Sequence, residues 1–340
     1  MYMKITHVHD VSFVTSTIVT ALNEIGVKAT FYEFINWKIR KSPKIIQFIL
    51  TSSARFVEIF RFKSIVHKGK FDVIHIHYGT FAYLAFFSRI PFYLHIHGTD
   101  VRTHVNWPLI GNVIRWGIIN AEKVFYSTPD LKPIVEKFRR DAIFFPNPIN
   151  TDQFFVKKFD EKCDLVSLFN INKLDRFKGT NNVLKSIQLI WEIFPNLNVK
   201  MFQFGNSIKD AEEFLVKYQN VPNLSFLPRI SHEKMVDELQ NSSIILGQLG
   251  TGILTCSELE AMSCGKPVIC NFKYFDMYPE PPPVLVANTP EEVRDQIVFL
   301  LNNPEEGKKI GEKAREWVVK YYDYRKVAQK LLNIYLENKK

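Results

Sequence analysis

The chain has 340 residues, 46% of them hydrophobic, and a formal net charge of +9. That is enough apolar material for two ordinary cores. The run nearest to the roughly 18 apolar residues of a spanning helix, Phe81 to Ile96, is broken by Ser88, Arg89 and Pro91.

The N-terminus has no apolar signal-like core, and Cys163, Cys256, Cys264 and Cys270 lack zinc-type pairing. The expectation is a cytoplasmic protein with reduced thiols. The positive balance calls for an anionic partner.

In chain order, Lys4 to Val8 reads as a first strand and Phe13 to Ile25 as a helix stopped by Gly26. Val27 to Tyr32, Phe71 to His77, Phe92 to His97, Lys123 to Ser127 and Ala142 to Phe145 read as further strands, mostly separated by helical stretches. The rhythm restarts after Phe154. Strands are expected at Asp164 to Phe169, Val199 to Phe204, Leu224 to Leu227, Ile244 to Leu249 and Pro267 to Cys270. Helices are expected at Asn181 to Ile193, Lys209 to Lys217 and His232 to Gln240, with three more closing the chain. Short apolar strands alternating with helices predict an α/β fold of two doubly wound, Rossmann-like units. The carboxyl ends of their strands, facing each other across a cleft, would form a two-substrate site. The expected division is 1–152, 153–322 and a closing helix, 323–340, that crosses back to the first domain.

Residues 244–270 carry the most chemistry. A strand runs into a loop with Gly250, Thr251 and Gly252, and a helix then starts near Ser257 and ends at Gly265. Glycines let backbone amides approach an anion, and a helix N-terminus offers unpaired N–H groups. Glu260 has two readings: a carboxylate accepting both ribose hydroxyls, or a helix cap, because Ser257-x-x-Glu260 has capping-box spacing.

The run from Glu260 through Cys264-Gly265-Lys266-Pro267 to Ile269 resembles the donor-site signature of family-4 retaining glycosyltransferases. Asn172-Lys173-Leu174-Asp175-Arg176-Phe177-Lys178-Gly179 resembles that family's strand-end diphosphate loop, with Lys173 where arginine is more usual. The resemblance implies a GT-B fold and metal-independent hexosyl transfer from a nucleoside-diphosphate sugar to a hydroxyl acceptor, with retention and no cofactor. Lys173 and Lys178 would hold the diphosphate and Glu260 the ribose. Thr251 and Gly252 would line the sugar and phosphate. Of the family's two glutamates seven residues apart, the first would fall at Gly252 and is missing. Arg229 and Ile230 match a loop near the nucleobase.

Phe92 to Asp100 resembles the family's His-Gly-Thr-Asp motif, which implies that His97 and Asp100 orient the donor sugar. The structural reading of the same residues is a core histidine and a helix cap. His75, His77, His95 and His97 alternate on two strands; with no acidic ligand clearly placed, they are expected to hold no metal. The turn His7 to Ser12 lacks the family's glycine pair, and Pro146 to Phe154 resembles its interdomain segment.

A basic stretch from Lys38 to Lys70 interleaves Ile45, Ile46, Ile49, Phe56, Ile59 and Phe60. Such a surface suits peripheral contact with an anionic membrane, and hence a lipid-linked acceptor, as well as it suits an ordinary packed helix. No nucleic-acid module is present. Two rival functions stay open: a nucleotide-sugar 2-epimerase on a related scaffold, and a non-catalytic sugar-nucleotide-binding protein.

Overall fold

The computed structural model describes residues 3–34, 44–157, 164–170, 179–202, 216, 223–228 and 230–338, with the backbone alone at 44–53, 164–170, 180 and 226. Two compact units form: residues 1–148 with 324–340, and residues 149–323.

In the first unit, β1 (Lys4–Val8), β2 (Lys28–Tyr32), β3 (Val73–His77), β4 (Tyr93–Ile96), β5 (Val124–Tyr126) and β6 (Ile143–Phe144) form a parallel sheet ordered β2-β1-β3-β4-β5-β6. Helices α1 (Val14–Glu24), α2 (Lys44–Gly69), α3 (Tyr83–Ser88), α4 (Thr99–Arg102), α5 (Ile110–Asn120) and α6 (Lys132–Val135) connect the strands. Helices on both faces explain why every residue of β3 and β4 is buried, histidines included. The register pairs His7 with His75 and His77 with His95, which puts four imidazoles on one face of the sheet.

In the second unit, β7 (Asp164–Asn170), β8 (Asn198–Phe202), β9 (Leu224–Leu227), β10 (Ile244–Leu246), β11 (Val268–Cys270) and β12 (Leu285–Val286) form a parallel sheet ordered β12-β11-β10-β7-β8-β9. Its helices described from end to end are α7 (Thr180–Ile193), α8 (His232–Gln240), α9 (Cys256–Ser263), α10 (Pro290–Asn302) and α11 (Pro304–Tyr321); most of the helix expected at Lys209 to Lys217 lies outside the described residues. Both faces are apolar. One centres on Val183, Ile187, Val199, Ile269 and Ile297; the other on Leu259, Met262, Val268 and Trp317.

The last helix, α12 (Tyr324–Glu337), belongs to the first unit. Tyr324 donates its hydroxyl to Glu24 Oε2 at 3.0 Å, and Tyr335 is fully buried with its hydroxyl on His75 Nδ1.

Helix α2 covers most of the basic stretch. Residues 35–43 lie outside the described residues. Ala54, Glu58, Phe62 and Val66 form its buried stripe, while Phe56 and Phe60 are 63% and 59% exposed. Glu58 accepts from the Tyr32 hydroxyl inside the core, so the one acid of this basic stretch serves packing.

Candidate functional site

In each sheet the chain reverses its winding once: between β1 and β3, and between β7 and β10. Open parallel sheets bind ligands beyond the carboxyl ends of strands at such a reversal.

In the second unit that place is the loop from β10 to α9. The strand is shorter than the expected Ile244 to Leu249; Gly247 and Gln248 still bond to Ile269 and Asn271, and the chain bends from Leu249. Two buried side chains then claim the loop. Gln248 donates through Nε2 to the carbonyls of Ile253 (2.7 Å) and Asn271 (2.9 Å). Its Oε1 accepts from the amides of Gly250 (2.9 Å) and Thr251 (2.6 Å). Glu258 accepts from the amide of Gln248 through Oε1 (2.9 Å) and from that of Thr255 through Oε2 (2.9 Å).

This corrects the capping assignment. The helix starts at Cys256, and its capping box is Thr255 with Glu258, not Ser257 with Glu260. Glu260 sits two residues further on, facing another partner. Its Oε1 lies 2.8 Å from Nε2 of His232, the first residue of α8. Its Oε2 has no partner among the described residues. Burial pushes the Glu260 carboxyl above its usual range, and the hydrogen bond from His232 opposes that shift.

Because Gln248 occupies the amides of Gly250 and Thr251, the open donors lie one step later. Among the described residues, no acceptor meets the amides of Gly252, Ile253 or Leu254. These three residues are buried and lie just before the Thr255 cap of α9, so their amides suit an anionic or carbonyl oxygen. Thr251 Oγ1 and Asn271 Oδ1 are also buried without partners.

Gly252 has φ +72°, and a Cβ there would stand 2.8 Å from Lys273 Cδ and 3.0 Å from Asn271 Oδ1. The loop thus has a left-handed glycine at the position where the resemblance expects a glutamate. Ile230 is half-buried just before the Ser231 cap of α8. Lys173, Lys178 and Arg229 lie outside the described residues. His232, Gln248 and Asn271 were not found by sequence reasoning. For Asn271 a signal existed in its place directly after a strand.

In the first unit, the ends of β3 and β4 meet through Asp100, which is fully buried. Its carboxylate accepts from the amides of Gly98 (2.7 Å), Gly79 (2.9 Å), Val101 (3.1 Å) and His97 (3.3 Å). Asp100 lies inside the first turn of α4, whose N-cap is Gly98, and its carboxylate ties two loops together. His97, half-buried at the strand end, places Nε2 2.9 Å from Nδ1 of His77.

The histidines do converge, and a fifth joins them from β1: His7 Nδ1 lies 3.0 Å from His77 Nε2. Two triplets, His7/His75/His77 and His77/His95/His97, bring ring nitrogens within 4.8 Å of one another. The rings lie nearly parallel, with planes 17–18° apart for His75–His77 and His7–His75. Burial holds them neutral, pushing His7 and His95 down to about 3. The glycine-free turn after β1 keeps left-handed geometry through His9, Ser12 and Phe13, at φ 69°, 51° and 64°.

Comparison with known proteins gives a consistent result. Residues 8–153 match a family model described as Glycosyltransferase Family 4, and residues 197–333 match one described as Glycosyl transferase-like. The chain is 22% identical to N-acetyl-alpha-D-glucosaminyl L-malate synthase of Bacillus anthracis, over 97% of this chain and 89% of that one. Among solved structures it resembles sucrose-phosphate synthase of Thermosynechococcus elongatus (TM-score 0.74, 15% identity, 98% of each chain). It also resembles HepE of Anabaena in complex with UDP-glucose (TM-score 0.74, 12% identity, 98% of this chain and 99% of that one). These likenesses show the GT-B fold.

Proposed function

Since the chain belongs to the family-4 glycosyltransferases, we propose that it moves a hexosyl group from a nucleoside-diphosphate sugar to a hydroxyl acceptor, with retention at the anomeric carbon and without a metal. The observation that carries this reading is the β10–α9 loop at the winding reversal of the second unit. It combines three open amides, a helix start and a carboxylate with one unengaged oxygen.

In this reading Glu260 accepts the ribose hydroxyls through Oε2 while His232 orients it through Oε1. The amides of Gly252 to Leu254, with the Thr251 hydroxyl, take phosphate or sugar oxygens. Lys173 and Lys178 neutralise the charge that grows on the departing diphosphate, where fixed cations stabilise the transition state. Arg229 and Ile230 lie on the nucleobase side, and His97 contacts the sugar. Asp100 acts through the loop that it pins. The leaving phosphate takes the acceptor's proton on the same face.

The acceptor belongs to the proposal as well. The exposed Phe56 and Phe60, with Arg55 and Lys63 beside them on α2, suit contact with an anionic membrane and so a lipid-linked acceptor. No described helix is long and apolar enough to cross a membrane.

The test is calorimetry with UDP-, GDP-, ADP- and TDP-sugars on the native chain and on Glu260→Ala. A binding nucleotide sugar, lost in the variant, supports the reading. The absence of binding to all four would overturn it. Epimerisation of the bound donor in the absence of any acceptor would select the 2-epimerase.

A further inference from the structure

Three of the five imidazoles in this layer, four of them buried and His97 half-buried, are joined head to tail. His7 Nδ1 lies 3.0 Å from His77 Nε2, and His77 Nδ1 lies 2.9 Å from His97 Nε2. The links cross from β1 to β3 to the end of β4. His7 and His77 are fully buried, and both outer atoms of the chain, His7 Nε2 and His97 Nδ1, are buried without a partner. His95 lies beside this chain of rings with both of its nitrogens buried and without a hydrogen-bond partner among the described residues. His75 gives its Nδ1 to Tyr335, and Asp100 is occupied by four amides.

Proton counting then restricts the states. Three neutral imidazoles hold three ring protons. Each of the two links takes one. The third must sit at an end, on His7 Nε2 or on His97 Nδ1. In the first state all three rings are Nε2–H tautomers and His97 Nδ1 is a bare acceptor. In the second all three are Nδ1–H tautomers and His97 Nδ1 is a donor. A mixed set leaves one link with two protons or with none.

We propose that His7 and His77 are positioning residues that fix the tautomer of His97, so that the three rings switch together and a donor bound beside the half-buried His97 ring meets their shared state as a change in the polarity of that ring. The contact between His97 and the sugar rests on the function proposed above. The shared tautomer does not.

The test uses the full chain labelled with 15N-histidine. Long-range 1H–15N spectra at pH 7.5 are assigned through His7→Phe, His77→Phe and His97→Phe, and melting curves confirm that each variant folds. All three rings are expected in one tautomer, whether Nε2–H or Nδ1–H. In His77→Phe, whose ring keeps the stacking but breaks both links, His97 is expected to move to a mixture of tautomers; in His7→Phe its tautomer changes through His77 alone. Different tautomers among the three rings of the native chain would overturn the proposal. So would a His97 tautomer unchanged in both variants.

UDP-glucose, or whichever of the four nucleotide sugars binds, is then added. A shift of the His7 resonances that disappears in His77→Phe shows that the sugar end is read at the far end of the chain. Failure of every nucleotide sugar to bind, with the shared tautomer intact, would sink the donor assignment and leave the relay standing.

Discussion

Glu260, in the second turn of α9, and His232, the first residue of α8, are 28 residues apart and meet with Oε1 2.8 Å from Nε2. Holding one carboxylate oxygen fixes the direction of the other. His232→Ala is therefore expected to weaken nucleotide-sugar binding by about tenfold, roughly 1.4 kcal/mol, by freeing a carboxylate that must then be ordered on binding. His232→Gln, which keeps an N–H donor, should recover most of the loss. Calorimetry on the two variants decides it, and equal losses in both would refute the orienting role.

Glu258 is structural in this arrangement. Glu258→Ala strips acceptors from the amides of Gln248 and Thr255, each worth about 1–3 kcal/mol when buried and abandoned. Thermal unfolding should show a loss on the order of 3 kcal/mol. Donor affinity should fall as well, because the open amides of Gly252 to Leu254 belong to the same loop. A variant that melts like the native chain would contradict this account.

Restoring the family's glutamate by Gly252→Glu should not raise activity. The position has φ +72° and little room for a Cβ, and a left-handed non-glycine residue costs roughly 1–2 kcal/mol. The expected result is a lower melting temperature with transfer no faster than native. A gain in rate at unchanged stability would show that the loop tolerates the side chain and uses it.

The imidazole layer sets an acid limit on stability. His7 and His95 bind protons at about 3 when folded and at about 6.5 when unfolded. As pH falls below 6.5 the unfolded state therefore takes up protons that the native state refuses. Stability is complete above 6.5 and falls by about 1.4 kcal/mol per pH unit for each such histidine. Melting temperature should drop steeply from pH 7 to 5, and His95→Phe should flatten the slope. An unchanged slope in that variant would reject the assignment.

Membrane contact has a direct test. Co-sedimentation with vesicles containing phosphatidylserine should be strong for the native chain and reduced severalfold in Phe56→Ser/Phe60→Ser, and it should weaken with salt. Binding indifferent to both changes would leave α2 as an ordinary packed helix.

The alternation of strands and helices, the restart after Phe154, the Gly250–Gly252 loop and the Glu260 helix could all be read from local pattern, because apolar periodicity and glycine placement act over a few residues. The helix cap could not. Ser257-x-x-Glu260 and Thr255-x-x-Glu258 have the same spacing, and only the folded course of the loop, which brings the amides of Gln248 and Thr255 to Glu258, decides which carboxylate faces them. Nor could the local pattern show how Gln248 is spent: its four bonds reach Gly250, Thr251, Ile253 and Asn271.

By itself the sequence determined the kind of fold, the positions of its punctuation and the chemical types at the strand ends, since these follow from propensity and spacing. Only the tertiary structure decided the partnerships. His7 joins His77 and His97 because β1 lies beside β3 and β3 beside β4, and His232 finds Glu260 because the fold brings the first residue of α8 to the middle of α9. Which side chain occupies which hydrogen bond depends on strand order and register, and these are set by contacts between residues far apart in the chain.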